Sequence, residues 1–158
     1  MSSIETARAA GAGTGAASKA FPAGGGMARE TLEAAVARTP FANWIGARIE
    51  SFEAGRVAIV VPMKSELTMH HGFAHGAVIG FLADSACAWA AASVAGDVVT
   101  VEYKLSLLAP AVGGELSAVG EVLKASARQV VCRADVFARQ TSRQVFVATA
   151  LATLTPFK

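Results

Sequence analysis

The chain has 158 residues and a mass of 16.1 kDa, the size of one domain with or without a short tail. Hydrophobic residues make up 53% and charged residues 16%, which is enough apolar side chain for a core and too little charge for a disordered protein. The net charge of +2 comes without a dense Lys and Arg cluster and argues against a nucleic-acid partner. The two cysteines, Cys87 and Cys132, can build neither a disulfide framework nor a four-ligand zinc site, so we expect a cytoplasmic protein.

The first 27 residues are rich in Ala, Gly, Ser and Thr. Such a composition cannot bury enough surface to offset the entropy of ordering it, and it contains no run of large apolar residues for a signal peptide. We therefore predict a disordered tail over residues 1–27 and one folded domain over residues 28–158. That domain begins with a short helix over Ala28–Arg38, where apolar residues recur at spacings of three and four before a Thr-Pro pair.

Six later segments have the composition of β-strands. The first two, Ala47–Phe52 and Arg56–Val61, are joined by a Glu-Ala-Gly sequence typical of a hairpin turn. In the third, Val99–Leu107, apolar and polar residues alternate, which predicts a strand with one wet face. The last three strands are predicted over Glu115–Lys124, Val130–Arg139 and Val145–Thr155. Because the connections from the third strand onward are short, we expect consecutive strands to be antiparallel neighbours.

A long apolar segment runs from Gly76 to Gly96 and is long enough to cross a bilayer, in a chain whose mean hydropathy is +0.45. Its residues are mostly Ala, Gly and Ser, and its central acid, Asp84, would cost about 2.5 to 3.5 kcal/mol on insertion. We therefore predict a buried helix and no membrane partner. A helix that is apolar nearly all round must be enclosed, so we expect an α+β fold in which the antiparallel sheet curls around it.

Two features of this helix could carry chemistry. Asp84 is a lone carboxylate among apolar residues, so it faces solvent, is satisfied by a structural hydrogen bond, or serves as a general base or nucleophile. His75 and Gly76 mark the helix start, where N–H groups lack intrahelical acceptors at the positive end of the dipole. A glycine there lets a carbonyl oxygen approach closely, and such donors stabilise an oxyanion.

The spacing between these two features predicts a dimer. Gly76 and Asp84 are eight positions apart, which is about 12 Å along a helix, whereas a base must come within about 3 Å of the group it serves. The two cannot act on one carbonyl within a subunit. If two copies of the helix lie antiparallel across a two-fold axis, each helix start can approach the middle of its twin. We therefore expect an obligate homodimer with two equivalent interfacial sites, and a further pairing of dimers into a tetramer.

The segment Gly72–Ala77, continuing through Leu82-Ala83-Asp84, resembles the G-x-x-H-G-G…A-D/E signature of hotdog-fold acyl-CoA thioesterases of the phenylacetate-degradation type. The sequence from Val101 to Ala111 is similar to the third strand of that family, and the resemblance covers roughly residues 40–156. It implies a hotdog fold and hydrolysis of an aryl- or medium-chain acyl-CoA to the free acid and coenzyme A. It implies no cofactor beyond the coenzyme A of the substrate.

The resemblance also implies roles for individual residues. Asp84 corresponds to the nucleophile or general base, Gly76 to the oxyanion donor, and His75 to a residue that orients the loop. Thr100 falls where the family often has a residue that positions water. Strict alternation along its strand puts Thr100 on the face away from its own helix, so we expect it to serve only a site shared with the partner subunit.

Other positions are predicted to contact the substrate. Met69 stands where the family has an amide side chain, which leaves His70 to supply that contact. Gly72 is the first glycine of the signature, and Ala77 stands where the signature has its last glycine, directly after Gly76. The phosphates of coenzyme A could meet a group of basic residues that could equally be ordinary surface charge. These residues are Lys124, Arg128 and Arg133.

Other residues of the sequence suggest alternative chemistry. His71 and His75 are four positions apart, as in some metal sites, but Gly72 argues against a helix there and no third ligand is evident, so we expect no metal. A thiol-imidazole pair of Cys87 and His75 would have to span about 18 Å of helix. Two functions on the same fold stay open: a non-catalytic acyl-CoA-binding protein, and an enoyl-CoA hydratase or dehydratase.

Overall fold

The structure, a computed structural model, describes residue 21 and residues 25–157. The predicted tail of residues 1–27 lies largely outside the described residues, so the tail and the domain boundary that follows it stay predictions. Within its described part, the Met27 N–H donates to the Ala92 carbonyl oxygen at 2.9 Å. The chain is therefore fixed against the rest of the fold immediately before its first helix.

Besides a single 3-10 turn at Ser65–Leu67, three α-helices occur in the described part of the chain. They are α1 (Arg29–Ala37), α2 (Pro40–Ile45) and α3 (Gly76–Ala95). The predictions for α1 and for α3, which is capped by His75 and ended at Gly96, are confirmed. Helix α2 was not predicted: the Thr-Pro pair ends α1, but the fixed φ of proline and its missing N–H also suit the first position of a new helix.

The strands form one antiparallel sheet in the order β1-β2-β4-β5-β6-β3. They are β1 (Arg48–Glu53), β2 (Arg56–Pro62), β3 (Val98–Leu107), β4 (Glu115–Ala125), β5 (Val130–Arg139) and β6 (Gln144–Pro156). All six predicted strands are confirmed, but the expectation that β3 and β4 are neighbours is wrong, since β3 pairs with β6. The segment that connects β3 to β4 crosses the ends of β6 and β5. There the Leu108 N–H donates to the Val147 carbonyl oxygen, and the Gly114 N–H donates to the Arg139 carbonyl oxygen.

The sheet wraps around α3, as the fold-class prediction requires. Of the most apolar window of α3, 72% is buried inside the fold, so this helix, long and apolar enough to cross a membrane, is the core helix. Strand β4 comes very close to the helix at Gly120, where an added Cβ atom would overlap the Ala86 carbonyl oxygen. Only glycine allows this strand to lie so close to the helix backbone.

Strand β3 is an edge strand with a bulge. Thr100 pairs with Leu154 and Glu102 with Thr153, so Val101 between them has no partner. The extra residue changes which side chains of β3 face α3. Before the bulge the even-numbered Thr100 faces the helix, and after it the odd-numbered Tyr103 faces the helix. The predicted regular alternation is therefore wrong in the first half of β3, and Val99 and Val101 are 44% and 62% exposed on the outer side.

Candidate active site

A tight loop leads into α3. Thr68 and Ala74 form an isolated antiparallel bridge, and the Gly72 N–H donates to the Met69 carbonyl oxygen at 2.8 Å. Gly72 has φ +83°, a left-handed conformation that glycine adopts without strain. This turn places His70 and His71 at its exposed tip, with their rings 3.9 Å apart.

His75 caps the start of α3 with its side chain. Its Nδ1 accepts a hydrogen bond from the Ala77 N–H at 3.0 Å, and its carbonyl oxygen accepts one from the Val78 N–H at 2.9 Å. Because Nδ1 is an acceptor, the neutral ring carries its proton on Nε2. Among the described residues, none accepts from the Gly76 N–H. The His75 cap therefore satisfies the N–H groups of Ala77 and Val78, and the Gly76 N–H is left free to bind a ligand at this helix end.

An apolar pocket of about 330 Å³ lies at this end of α3. It is formed by the entry loop, the first turn of α3 and the segment that follows β3. Its lining consists of Met69, Phe73, Ala74, Gly76, Ile79 and residues 107–111. The volume is in the range of small-molecule sites, and the lining suits an apolar group attached to a carbonyl that reaches Gly76.

Asp84 lies two turns further along α3 and is held by β3. Thr100 Oγ1 donates a hydrogen bond to Asp84 Oδ1 at 2.7 Å, a short bond of the charge-assisted kind. The expectation that Thr100 faces away from its own helix is wrong, because the bulge at Val101 breaks the alternation on which it rested. The structure thus joins two of the predicted residues, Asp84 and Thr100, within one chain.

One face of α3 is not covered by the sheet. Most of the helix is buried, but Ala77, Phe81, Asp84 and Ala88 recur at spacings of three and four as exposed or half-buried residues. On this open face Asp84 is about 12 Å along the axis from Gly76. A single chain therefore presents the acid and the free N–H too far apart to act on one carbonyl.

Sequence reasoning missed an aromatic cluster next to the acid. The Phe81 and Phe41 ring centroids are 5.2 Å apart in an edge-to-face arrangement, and those of Phe41 and Trp44 are 5.8 Å apart. Phe41 and Trp44 are three positions apart directly after Pro40, a spacing that puts both on one side of α2 once that helix is recognised. The signal was present in the sequence and depended on finding α2.

The basic residues predicted for coenzyme A are remote from the pocket of their own chain. Lys124 and Arg128 are exposed near the turn between β4 and β5, where Thr155 donates to the Arg128 carbonyl oxygen beside the start of β3. Gly76 lies against Leu107 at the other end of β3. Arg133 forms ion pairs with the side chains of Glu121 and Asp135, at 3.5 and 3.7 Å.

Thiol and metal chemistry have little support in the described part of the chain. Cys87 and Cys132 are fully buried, and this burial raises the pKa of both thiols, that of Cys132 to about 12. Both thiols therefore stay protonated and unreactive at neutral pH. No group of three or more His, Cys, Asp or Glu residues suited to a metal ion occurs among the residues that the structure describes.

Comparison with known proteins relates this chain to one family. A family model described as the thioesterase superfamily matches residues 71–144. The crystal structure of a thioesterase family protein from Silicibacter pomeroyi is 35% identical, covers 78% of this chain and 93% of that chain, and superimposes with a TM-score of 0.76.

Two other relatives extend the comparison. A Saccharolobus solfataricus protein named provisionally as an esterase is 31% identical over 91 residues, or 56% of this chain, and the match spans 65% of the length of that relative. The PaaI protein of the E. coli phenylacetic acid degradation operon is 21% identical, with a TM-score of 0.75 over 82% of this chain and 92% of its own. At that identity the likeness is one of fold.

Proposed function

The chain belongs to the thioesterase superfamily and has its hotdog fold, and from that membership we propose that it hydrolyses an acyl-CoA to a free acid and coenzyme A. The observation that supports this most directly is the Gly76 N–H, which is without an acceptor among the described residues and belongs to a residue lining the apolar pocket. The reaction requires no cofactor besides the coenzyme A that the substrate carries. We place it in the cytoplasm, where two free buried thiols persist.

The proposed active unit is a homodimer. Since the Gly76 N–H and Asp84 are about 12 Å apart in one chain, a complete site needs two chains with their α3 helices antiparallel. Edge strand β3, with Val99 and Val101 exposed, offers an apolar surface for such pairing. Exposed Phe146 and Leu151 of β6 could form the second contact that joins two dimers into a tetramer.

In this dimer each thioester carbonyl lies between two subunits. The Gly76 N–H of one subunit donates to the carbonyl oxygen, at the positive end of the α3 dipole. As the carbonyl is attacked, negative charge moves onto that oxygen and the hydrogen bond strengthens. A backbone donor of this kind contributes about a hundredfold to a thousandfold in rate.

Asp84 of the other subunit performs the attack directly or through water. Thr100 occupies Oδ1, which leaves Oδ2 to face the substrate. As a general base, Asp84 takes a proton from a water molecule that attacks the carbonyl carbon; as a nucleophile, it attacks that carbon itself and forms an acyl-carboxylate anhydride that water then opens. In either route the C–S bond breaks, and coenzyme A leaves as a thiolate that takes up a proton. Label found in Asp84 after single-turnover hydrolysis in ¹⁸O-labelled water identifies the anhydride route, because only attack of water on the carboxyl carbon of an anhydride puts it there.

The acyl group is proposed to occupy the pocket beside Gly76. Its lining is apolar, with Phe73, Ile79 and Leu107 among the larger side chains, and its volume of about 330 Å³ accommodates an aryl or medium-chain acyl group. Met69 lies in this lining and offers no amide, so the carbonyl depends on the backbone donor.

The test compares Asp84→Asn with Glu30→Gln, an exposed acid on α1 that receives the same carboxylate-to-amide change. Thiol release is measured over a panel of aryl- and medium-chain acyl-CoAs. We expect Asp84→Asn to lower kcat by about a hundredfold or more, the range of a lost general base, and Glu30→Gln to match the wild type. An Asp84→Asn rate within about threefold of wild type would refute the role of this acid. Tight acyl-CoA binding by the wild type without thiol release would favour the binding-protein alternative.

A further inference from the structure

Three aromatic rings form a continuous series that starts beside Asp84. Phe81 precedes Asp84 by three positions on the open face of α3, so their Cβ atoms are about 5 to 6 Å apart. The series continues to Phe41 and Trp44 of α2 through ring-to-ring steps of 5.2 and 5.8 Å. We call Phe81, Phe41 and Trp44 the aromatic track.

The outer two residues of the track are unusually open for aromatic side chains. Phe41 is 52% exposed and Trp44 is 60% exposed, on a short helix whose Ala42 and Ile45 are buried. Packing of α2 therefore uses its other side and leaves these rings toward solvent. Contiguous exposed aromatic surface of this kind marks a binding site, and the faces of such rings stack on nucleobases without sequence preference.

A cation stands at the far end of the track. Lys64 Nζ donates to the Trp44 carbonyl oxygen at 3.4 Å, and the Lys64 side chain is exposed. Among the described residues no carboxylate forms an ion pair with Lys64, and the nearby Glu66 carboxylate accepts from the Ser65 hydroxyl. The pKa of Glu66 is lowered by hydrogen bonds from its own backbone and from Ser65 and also by the Lys64 charge. The Lys64 ammonium is thus only partly offset and is open to a ligand, as lysine serves phosphate groups in other proteins.

We propose that the aromatic track and Lys64 bind the coenzyme A arm of the substrate. The adenine ring stacks on Trp44, a phosphate of the nucleotide meets Lys64, and the pantetheine arm crosses Phe41 and Phe81 to bring the thioester sulfur to Asp84. This inference rests on the proposed thioesterase function and deepens it by assigning the nucleotide site.

The order of the groups favours this occupant. From Asp84 outward the surface changes from apolar rings to an exposed cation, which is the order of pantetheine and nucleotide in an acyl-CoA. The acyl group leaves the carbonyl in the other direction, toward the pocket beside Gly76.

The decisive experiment compares two substrates with the same acyl group. One is the acyl-CoA, and the other is the N-acetylcysteamine thioester, which keeps the thioester and lacks the nucleotide. We expect Trp44→Ala to raise KM for the acyl-CoA by about fivefold or more, as the loss of one stacked base does, with kcat unchanged. Lys64→Ala shifts the same KM by less. Neither variant changes the kinetics of the short thioester. Arg29→Ala, which removes an exposed cation of α1 that pairs with Glu33, changes the kinetics of neither substrate.

A binding measurement makes the proposal independent of turnover. Trp44 and Trp89 are the only tryptophans of the chain, so a Trp89→Phe protein reports on Trp44 alone. Adenosine 3′,5′-bisphosphate, the nucleotide end of coenzyme A, should quench this fluorescence saturably, and Lys64→Ala should weaken the effect. Saturable quenching in a protein that releases no thiol would support the aromatic track as the nucleotide site and would overturn the proposed hydrolysis.

Three results would overturn the track. One is an unchanged KM for acyl-CoA in Trp44→Ala together with an absence of nucleotide quenching. Another is an equal change in KM for both substrates, which would place Trp44 at the acyl group. The third is a shift of Trp44→Ala toward a smaller species in light scattering, with normal acyl-CoA binding, which would make the exposed rings a contact between subunits.

Discussion

The two ends of the open face of α3 are built in different ways. At its start, the free Gly76 N–H is a backbone group that the His75 cap defines. Two turns later, Asp84 is a side chain held by Thr100 across a bulge in an edge strand. The first depends on where a helix begins and the second on how a strand is registered against it. In the proposed mechanism the Gly76 N–H and the Asp84 carboxylate are the two halves of one site, and a substitution can remove either half without the other.

The largest expected effect follows from removing the backbone donor. Gly76→Pro deletes the N–H, and the helix should tolerate it because proline suits the first helical position and His75 already has the extended conformation, φ −65° and ψ 141°, that must precede it. We expect kcat to fall by about a hundredfold to a thousandfold, as for other lost oxyanion donors.

Gly76→Ala is the matched variant for that change. It keeps the N–H, and its Cβ atom would meet Leu107 at an ordinary 3.8 Å, so most of the rate should remain. Circular dichroism checks that both variants fold. Equal rates for the alanine and proline variants would show that the N–H does not act on the substrate.

A smaller effect is expected at the other half of the site. Thr100→Val removes the hydroxyl that holds Asp84 and keeps the β-branched shape, so kcat should fall by about tenfold, the effect of losing a hydrogen bond to a charged group. Thr100→Ser keeps the donor and should restore most of the rate. A valine variant as fast as the wild type would show that the hydroxyl does not position the acid.

The smallest effect lies outside both halves and concerns stability alone. Arg139 donates to Glu50 and holds the pKa of that carboxyl below its ordinary value of 4.5. A lowered folded-state pKa gives stability that is complete above pH 4.5 and is lost as the pH falls through the folded-state value. Because both side chains are partly exposed, we expect Glu50→Gln to cost about 1 kcal/mol or less at pH 7.

Thermal unfolding across pH checks this assignment. The difference in Tm between wild type and Glu50→Gln should shrink as the pH falls below 4.5, while kcat at pH 7 stays unchanged. A difference that grows in acid would reverse the sign of the proposed interaction.

The two halves also differ in how far the sequence could predict them. The bounds of α3 and of the strands follow from hydrophobic periodicity and from glycine at the turns, which act locally along the chain. The pairing of β3 with β6 and the inward turn of Thr100 depend on a bulge and on a loop that crosses two strand ends, and neither has a local signature. Helix α2 was missed because Pro40 follows the end of one helix and begins another. Without α2, the sequence does not indicate that Phe41 and Trp44 lie on one side of a helix.

Subunit complementation tests the central claim most directly, that one subunit supplies the N–H and the other the acid. Asp84→Asn and Gly76→Pro chains are co-expressed with different affinity tags, and the mixed dimer is purified through both. Each parent is expected to be nearly inactive. The mixed dimer contains one site with an intact Gly76 from one chain and an intact Asp84 from the other, so it should regain about half of the wild-type rate per dimer. A purified mixed dimer no more active than its parents would contradict the shared site.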